Sequence, residues 1–537
     1  MTVNDRDVAR PAIVTDLGAR AAYSEGGGIY RILPSGVTLP RDLADLERLV
    51  RWARATRTQL IPRGAGSGMT GGNVGRGVVV DMSQGFREVV PDWGARTIKV
   101  GASVTANEVN DRARPFGLRL PPDPSSSAFA TSGGMAATNA AGPRTVRSGS
   151  VRKWIAALDV VDARGDVRRV ARGGGNAGPF ELPGGAETEI RRAARHTRKN
   201  SSGYGLEPFV ETGDELDLLI GSEGTLAFIT GVEWRLDSIP PDVGGAALGF
   251  ASLDALTDAV PFLVALNPSA VELLDATFLD LVRCASPLDV PNAVEGLLLV
   301  EFERETQAAA RGAVGDAIRG LKDHTVLVEP AIDRATLEKL WSIRRLASPA
   351  LARLPETRRS LQVVEDGCVP LEQLGAYVRG IRAAAERAGV PVAIFGHAGD
   401  GHVHVNALPD VTRPGWKEAV SALLDDVTAI LVDLGGVPSG EHGVGRLRSG
   451  LLSRFYGPAI MELFRALKHA YDPERILNPG AILPSGDWSP LADLKVGADA
   501  APIPAGIAER LREIERRANW HISKLELAGA GHSRSPF

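Results

Sequence analysis

The feature that most restricts the fold is a glycine-rich segment, residues 62–72 (PRGAGSGMTGG). Gly66, Gly68 and Gly71 fit the pattern G-x-G-x-x-G, which opens a helix in dinucleotide-binding folds of the Rossmann type. Here no helical pattern follows, and the apolar run 78–82 predicts a strand. The segment therefore favours a loop whose backbone N–H groups hold phosphate outside a Rossmann fold. A multi-turn loop with a purely structural role is the alternative.

Glycine is abundant along the whole chain, with 61 glycines among 537 residues against a background of roughly 7%. Because glycine has no side chain, it allows the backbone to approach a ligand closely. The clusters therefore predict several loops that contact a ligand. They occupy residues 64–77, 133–142, 173–185, 221–231, 396–401 and 440–445.

The overall composition is that of an ordinary globular protein, with 44% hydrophobic and 23% charged residues. A net charge of −4 gives no general attraction to nucleic acid or to anionic membranes. Two cysteines, Cys284 and Cys368, indicate a reducing compartment and exclude an iron–sulfur cluster held by four cysteines of this chain. The first fifteen residues are polar, and no apolar run approaches the roughly 18 residues of a membrane span. We therefore expect a cytoplasmic protein.

A histidine-rich segment, residues 395–406 (FGHAGDGHVHVN), holds three of the nine histidines. Its Asp-Gly dipeptide at 400–401 favours a two-residue hairpin turn, in which His397 opposes His404. Opposed side chains on one face of a hairpin lie roughly 4.5–5.5 Å apart at Cβ. The segment thus predicts two imidazoles that can bind one metal ion. A polar hairpin with solvated histidines is the alternative.

A second short segment, residues 439–445 (SGEHGVG), supplies the remaining groups for such a site. Glu441 completes a set of two histidines and one carboxylate, which leaves open positions on the metal, as catalytic sites do. His442 then lies beside the metal, where a histidine can act as a base. Further motifs along the chain are PDPS at 122–125, GSEGTL at 221–226, WSIR at 341–344 and NPG at 478–480.

Together these motifs make the chain resemble the FAD-linked oxidases of the D-lactate, glycolate and D-2-hydroxyglutarate dehydrogenase group. That group shares the flavin fold of vanillyl-alcohol oxidase and p-cresol methylhydroxylase, and the resemblance covers residues 30–485. It implies an α+β protein with a two-part FAD-binding domain and a substrate domain whose antiparallel sheet is flanked by helices. The implied units are an N-terminal lead-in (1–37), the FAD-binding domain (38–240), the substrate domain (241–435), a segment that returns to the flavin (436–485) and a C-terminal tail (486–537).

The resemblance also implies the site residues. Arg344 matches the arginine that holds the substrate carboxylate in the family. His397, His404 and Glu441 match its ligands for a divalent metal, zinc or a similar ion, and His442 matches the adjacent base. The residues implied to bind FAD are Pro62, Arg63, Gly64, Ala65, Gly66, Ser67, Gly68, Thr70, Gly71, Pro122, Asp123, Ser126, Gly133, Gly134, Thr138, Asn139, Gly142, Glu223, Gly224, Ile229 and Asn478.

Two positions depart from the family pattern. His402 stands where many relatives carry asparagine, which implies different surroundings for the metal or the substrate. Glu365 stands near where relatives of the 2-hydroxyglutarate type carry a substrate-binding lysine and tyrosine, which disfavours a dicarboxylate substrate. No histidine occurs in residues 62–72, which excludes a histidyl–flavin bond in that loop.

The implied function is oxidation of a small-molecule D-2-hydroxy acid to the 2-oxo acid by hydride transfer to FAD N5, with the metal and His442 acting on the hydroxyl group. Electrons are expected to pass to a non-NAD acceptor: a quinone, an electron-transfer flavoprotein, a cytochrome or an iron–sulfur protein. A homodimer is compatible with this function. Two alternatives stay open: a metal-free flavin oxidase of the same fold that uses oxygen, and a flavoprotein subunit of a larger electron-transfer complex.

Overall fold

The computed structural model of the chain describes residues 11–286, 288–520 and 524–529, and these residues form an α+β fold with four sheets. The predicted fold class is confirmed. The boundaries proposed for the five units stay a prediction.

Two sheets carry the N-terminal part of the chain. The parallel three-stranded sheet has the order Gly36–Thr38, Val78–Asp81, Leu60–Arg63. The antiparallel five-stranded sheet has the order Val89–Asp92, Thr97–Gly101, Ala227–Arg235, Ile155–Asp162, Val167–Ala171. A short antiparallel pair joins Leu118–Arg119 to Asp237–Ser238. The helices of this part are Leu17–Ala22, Leu43–Thr56, Ala106–Ala113, Ser132–Thr138, Thr145–Ser148, Ala186–Ala193, Leu206–Thr212 and Glu215–Leu219.

The glycine-rich segment follows the strand Leu60–Arg63 and contains no helix before the next strand, Val78–Asp81. This confirms the prediction that the segment is not a Rossmann turn. Both strands are almost wholly buried, so they anchor the two ends of the loop in the core. The sequence therefore places an irregular, glycine-rich backbone at the edge of a rigid sheet.

An antiparallel seven-stranded sheet forms the second part. Its strand order is Leu327–Ala331, Asp242–Phe250, Gly296–Arg304, Ala270–Asp275, Val392–Gly396, His402–Ala407, Gly367–Cys368. The histidine-rich hairpin thus supplies two neighbouring strands of this sheet. The helices of this part are Leu253–Ala265, Ala276–Val282, Gln307–Leu321, Arg334–Arg345, Ala347–Ala352, Leu374–Ala388 and Trp416–Asp433.

Two helical regions of the chain are each divided in the structure. Residues 335–354 form Arg334–Arg345 and Ala347–Ala352, because Pro349 lacks an N–H and is tolerated only in a first helical turn. Residues 452–471 form Leu452–Phe455 and Pro458–Tyr471, in which the proline again opens the second helix. The described helices of the C-terminal tail are Ala505–Arg517 and Lys524–Leu527.

The tail helix Ala505–Arg517 connects the two parts of the molecule. Its apolar face, Ile507, Leu511 and Ile514, packs on a cluster that includes Tyr23 and Ile61 of the N-terminal part. Its polar face reaches the other part, where Glu515 accepts a hydrogen bond of 2.9 Å from Arg359. The helix is therefore a packing element, with an apolar face that is buried and a polar face that forms hydrogen bonds. Among the described residues, no helix has both the length and the apolar composition needed to span a bilayer.

We expect Leu511→Ala to loosen the tail, because it removes a buried side chain from the contact with the N-terminal part. The substitution should lower the free energy of local unfolding of residues 505–517 by about 2–5 kcal/mol. Faster amide hydrogen exchange in these residues measures the effect. The control is Arg517→Ala, which removes an exposed partner of Glu513 and should change little. Unchanged exchange in Leu511→Ala would contradict the described packing.

Candidate active site

One large cavity of about 950 Å³ lies between the two parts of the molecule. Its walls come from the glycine-rich loop, from the neighbourhood of residues 123–144 and 223–229, and from the histidine-rich hairpin. Cofactor sites are typically clefts of roughly 300–1,000 Å³, so the volume suits a dinucleotide. The cavity is thus lined both by the predicted cofactor loops and by two of the predicted metal ligands, His404 and Glu441, whereas His397 is not among its lining residues.

The glycine-rich loop depends on residues without a side chain. Gly66 has φ +82°, and a Cβ there would overlap the guanidinium of Arg63. A Cβ at Gly64 would overlap Thr131 Oγ1, in the segment that begins the opposite wall. Only glycine therefore allows this backbone to lie against the cavity, as binding of the phosphates of a dinucleotide requires.

All but five of the predicted FAD-binding residues line this cavity. These five do not line it, and their contact with the cofactor stays a prediction. Asn478, for example, donates 2.9 Å and 2.8 Å hydrogen bonds to the carbonyl oxygens of Gly72 and Glu223, so it joins two lining segments. The five residues are Gly71, Pro122, Asn139, Gly142 and Asn478.

The histidine-rich hairpin forms, but its predicted register is wrong. Phe395, and not His397, pairs with His404 across the two strands. The turn spans residues 397–401 as a short 3₁₀ turn closed by Gly401 at φ +69°, in place of a two-residue turn. The wider turn lifts His397 out of the ladder and still directs its imidazole towards His404.

Four side chains converge on one point beside the hairpin. The Glu441 Oε1 atom lies 3.1 Å from His397 Nε2, 3.4 Å from His404 Nε2 and 3.5 Å from His442 Nε2. The two hairpin nitrogens are 3.4 Å apart. Ligand atoms at 2.0–2.1 Å from a tetrahedral metal lie about 3.3 Å from one another. The spacing of the three predicted ligands therefore fits a divalent metal.

Glu272, which the sequence interpretation missed, contacts both His397 of this cluster and Arg344. Its Oε1 lies 2.6 Å from His397 Nδ1, and its Oε2 accepts a 2.8 Å hydrogen bond from Arg344 Nε. Burial alone would raise the pKa of Glu272, but the charges of His397 and Arg344 lower it to about 2. A glutamate inside the otherwise apolar run 270–274 (AVELL) is the signal that could have identified it.

Lys199 was also missed, because it ends a basic run that is typical of an exposed surface. The structure buries it fully, and its Nζ donates hydrogen bonds of 2.8 Å to Glu441 Oε2 and 2.9 Å to the Gly142 carbonyl. Burial favours the neutral amine, but the carboxylates of Glu441 and Asp400 raise the pKa of Lys199. Glu441 thus has one oxygen fixed by a cation and the other directed at the histidines.

His442 is held by two neighbouring carboxylates. Glu365 Oε1 binds His442 Nδ1, while its Oε2 accepts a 2.9 Å hydrogen bond from Arg448. Asp366 Oδ2 accepts the His442 backbone N–H at 2.9 Å. Burial lowers the pKa of His442, but Glu365 and Asp366 outweigh it and raise the pKa to about 10. The imidazole is therefore oriented through Nδ1, and its Nε2 is directed towards Glu441.

Glu223 joins the cofactor loops to the 439–445 segment. Its carboxylate accepts the backbone N–H groups of Val444 at 2.7 Å and Gly445 at 2.9 Å. Burial raises the pKa of Glu223 to about 7. The Thr70 carbonyl of the glycine-rich loop accepts the Arg446 N–H at 3.0 Å. The position of Glu441 and His442 is thereby fixed relative to the cofactor side of the cavity.

Arg344 lies in the helix Arg334–Arg345 and is joined to the cluster through Glu272. It also lines the cavity. It is 6% exposed and its guanidinium lies 4.8 Å above the ring of Phe395. Only its Nε is used, by Glu272; its two Nη atoms make no hydrogen bond to any residue that the structure describes. Two donors thus remain for a carboxylate ligand.

The sequence matches two family models on either side of this cavity. Residues 34–171 match the FAD binding domain, and residues 239–482 match the C-terminal domain of FAD linked oxidases. The D-lactate dehydrogenase of Archaeoglobus fulgidus is 30% identical, and the match covers 83% of this chain and 91% of that protein.

Two other matches are informative in different ways. The D-2-hydroxyglutarate dehydrogenase of Haemophilus influenzae is 27% identical over 88% of this chain, but the match covers 50% of that protein. The chain thus spans about half the length of the D-2-hydroxyglutarate dehydrogenases that it matches first. The solved structure of p-cresol methylhydroxylase with substrate bound is 15% identical with a TM-score of 0.62, over 88% of this chain and 94% of that one. At this identity the likeness concerns the fold alone.

We expect Lys199→Met to destabilise the protein after chelation of metals. The substitution leaves Glu441 and Asp400 as buried carboxylates without their cation, and loss of one partner of a buried pair costs about 3–5 kcal/mol. Chemical denaturation of the chelated protein measures this cost. Lys153→Met, the same change at an exposed lysine, is the control. Equal stability of the two variants would contradict the role given to Lys199.

Proposed function

Because the chain belongs to the family of FAD-linked oxidases, we propose that it oxidises a D-2-hydroxy acid to the 2-oxo acid, using FAD and a divalent metal. One observation supports this above the others: a single cavity is lined by the glycine-rich loop, by Arg344, and by His404 and Glu441 of the cluster that they form with His397. The D configuration follows the names of the relatives, D-lactate dehydrogenase among them.

The cavity residues fit FAD, since the glycine-rich loop has no room for a side chain at Gly64 or Gly66 and faces a volume of about 950 Å³. When bound, FAD supplies the two-electron acceptor that oxidation of an alcohol requires and that no side chain provides. In this proposal, residues 62–68 hold the phosphates, and Glu223 and Gly224 approach the cofactor from the neighbouring turn.

The cluster of His397, His404 and Glu441 fits a metal, because its ligand atoms have tetrahedral spacing. The atoms that face away from the metal are already held: Glu272 binds His397 Nδ1, and Lys199 binds Glu441 Oε2. A divalent metal there supplies positive charge, which lowers the pKa of a bound hydroxyl group and opposes the pKa rise that Glu365 and Asp366 cause at His442.

His442 takes the hydroxyl proton of the substrate in this proposal. Glu365 accepts the Nδ1–H of the imidazole, so Nε2 is the free nitrogen, and it faces the cluster. Arg448 neutralises the other oxygen of Glu365 at 2.9 Å, which keeps that carboxylate in place. The base is thus held in one tautomer and one orientation, as proton transfer requires.

Arg344 binds the substrate carboxylate through its two Nη atoms and thereby fixes the α-carbon relative to His442. The other lining arginines that the structure describes are engaged already, by carboxylates or by backbone carbonyls. A substrate with one carboxylate, as D-lactate has, is therefore favoured over a dicarboxylate. The engaged arginines are Arg63 with the Glu25 carbonyl, Arg114 with Asp111, Arg144 with Glu301, Arg345 with Glu338 and Arg359 with Glu515. The electron acceptor and the homodimer stay predictions.

We expect Arg344→Met to raise KM and to lower kcat/KM for the best 2-hydroxy acid by about a hundredfold or more, because the substrate loses its fixed orientation. Steady-state kinetics with an artificial electron acceptor measure both constants. Arg345→Met is the matched control, since Arg345 pairs with the exposed Glu338 instead. An equal loss in both variants would argue against carboxylate binding by Arg344.

We expect His397→Ala to abolish turnover while the purified protein keeps its flavin absorbance, because His397 belongs to the metal cluster and not to the cofactor loops. Metal content should fall with activity. His469→Ala, at an exposed helix position, is the control for loss of a histidine. A colourless His397→Ala protein would indicate that His397 mainly supports the fold, and a fully active one would remove the metal from the mechanism.

A further inference from the structure

His402 is a fully buried histidine whose second ring nitrogen has no hydrogen-bond partner among the residues that the structure describes. Its Nε2 lies 2.8 Å from Asp366 Oδ1, and its Nδ1 is the atom without a partner. By contrast, both ring nitrogens of His397 and of His404 have polar neighbours within 3.5 Å. A buried polar atom without a partner is rare in a native protein and indicates a ligand, an ion or a water.

The hydrogen bond to Asp366 determines which nitrogen of His402 carries the proton. Asp366 acts as an acceptor throughout: its Oδ2 accepts the Ser439 hydroxyl at 2.6 Å and the His442 backbone N–H at 2.9 Å. His402 Nε2 therefore donates to Asp366, and Nδ1 presents a lone pair. A lone pair on a buried imidazole nitrogen is the form that binds a metal.

The position of His402 agrees with this chemistry. One of its ring nitrogens lies within 4.8 Å of the ligand atoms of His397, His404 and Glu441. Its ring centre is 4.8 Å from that of His404 and 5.3 Å from that of His397.

The three hairpin histidines also share one arrangement, in which one nitrogen of each is held by an oxygen. Glu272 holds His397, the Glu365 carbonyl holds His404, and Asp366 holds His402. Metal-binding histidines are oriented by such an outer acceptor.

We propose that His402 is a third imidazole ligand of the metal, so that the centre consists of His397, His402, His404 and Glu441. The inference rests on the proposed metal centre and adds one ligand to it, so that the substrate hydroxyl would be a fifth ligand. Three nitrogens and one carboxylate oxygen suit zinc, cobalt or nickel better than magnesium or calcium, which prefer oxygen ligands. His402 stands where many members of the family that this chain resembles carry asparagine. An imidazole ligand at this position therefore distinguishes this chain from those relatives.

The test compares metal binding by wild-type protein and by His402→Asn, using the full-length flavin-containing protein stripped by chelation and reloaded with Zn²⁺ or Co²⁺. Competition titration gives the Kd for Zn²⁺. The visible bands of Co²⁺ and the X-ray absorption fine structure at the metal edge report the number of imidazole ligands. His324→Asn, the same change at an exposed histidine, is the control, and His397→Asn is the reference for loss of a ligand. Retained flavin absorbance shows that each variant is folded.

We expect three imidazoles in the wild type, two in His402→Asn, and a Kd for Zn²⁺ raised by a factor of about ten to a hundred or more. Two imidazoles in the wild type, with an unchanged Kd in His402→Asn, would overturn the inference and leave the metal centre intact. In that case Nδ1 faces a buried water. A wild type that binds Zn²⁺ no better than His397→Asn would remove the metal centre and this inference together. The imidazole count of the wild type decides the question even if His402→Asn does not fold.

Discussion

The buried carboxylate of Glu441 is the group on which the arrangement of the centre depends. Its Oε2 is fixed by the buried cation of Lys199 at 2.8 Å, and its Oε1 is left to face three imidazole nitrogens at 3.1–3.5 Å. An ionised carboxylate inside a protein needs such a partner, because burial without one is strongly unfavourable. Lys199 also binds the Gly142 carbonyl, so the same cation ties the cluster to the cofactor side of the cavity.

The two halves of the cavity are joined by backbone as well as by charge. Glu223 accepts two N–H groups of the 439–445 segment, and the Thr70 carbonyl accepts two more from Arg446 and Leu447. These contacts fix the distance between the glycine-rich loop and His442. A reaction between a bound cofactor and a substrate needs this kind of preformed geometry.

Much of the site could be predicted from local sequence. Gly66, His397, His404 and Glu441 lie in short segments whose chemistry is visible within a few residues, and the hairpin follows from the Asp-Gly dipeptide. The register failed because a wider turn, built on the three-residue 3₁₀ segment Ala398–Asp400, competes with the two-residue turn, and nothing local distinguishes them.

Glu272 and Lys199 were missed for a different reason. They meet His397 and Glu441 only through the fold, across separations of 125 and 242 residues. Local patterns therefore describe Glu272 as one polar residue in an apolar strand, and Lys199 as the end of a basic surface run. Only the assembled sheet and its neighbouring loops give either residue a role.

The most direct measurement is an anaerobic spectral titration of the flavin with D- and L-2-hydroxy acids that carry one or two carboxylates, before and after chelation. We expect bleaching of the flavin band by a D acid with one carboxylate, loss of this response on chelation, and recovery with a divalent metal. Bleaching that is indifferent to chelation would show that the metal cluster and the flavin do not act together on one substrate in one cavity.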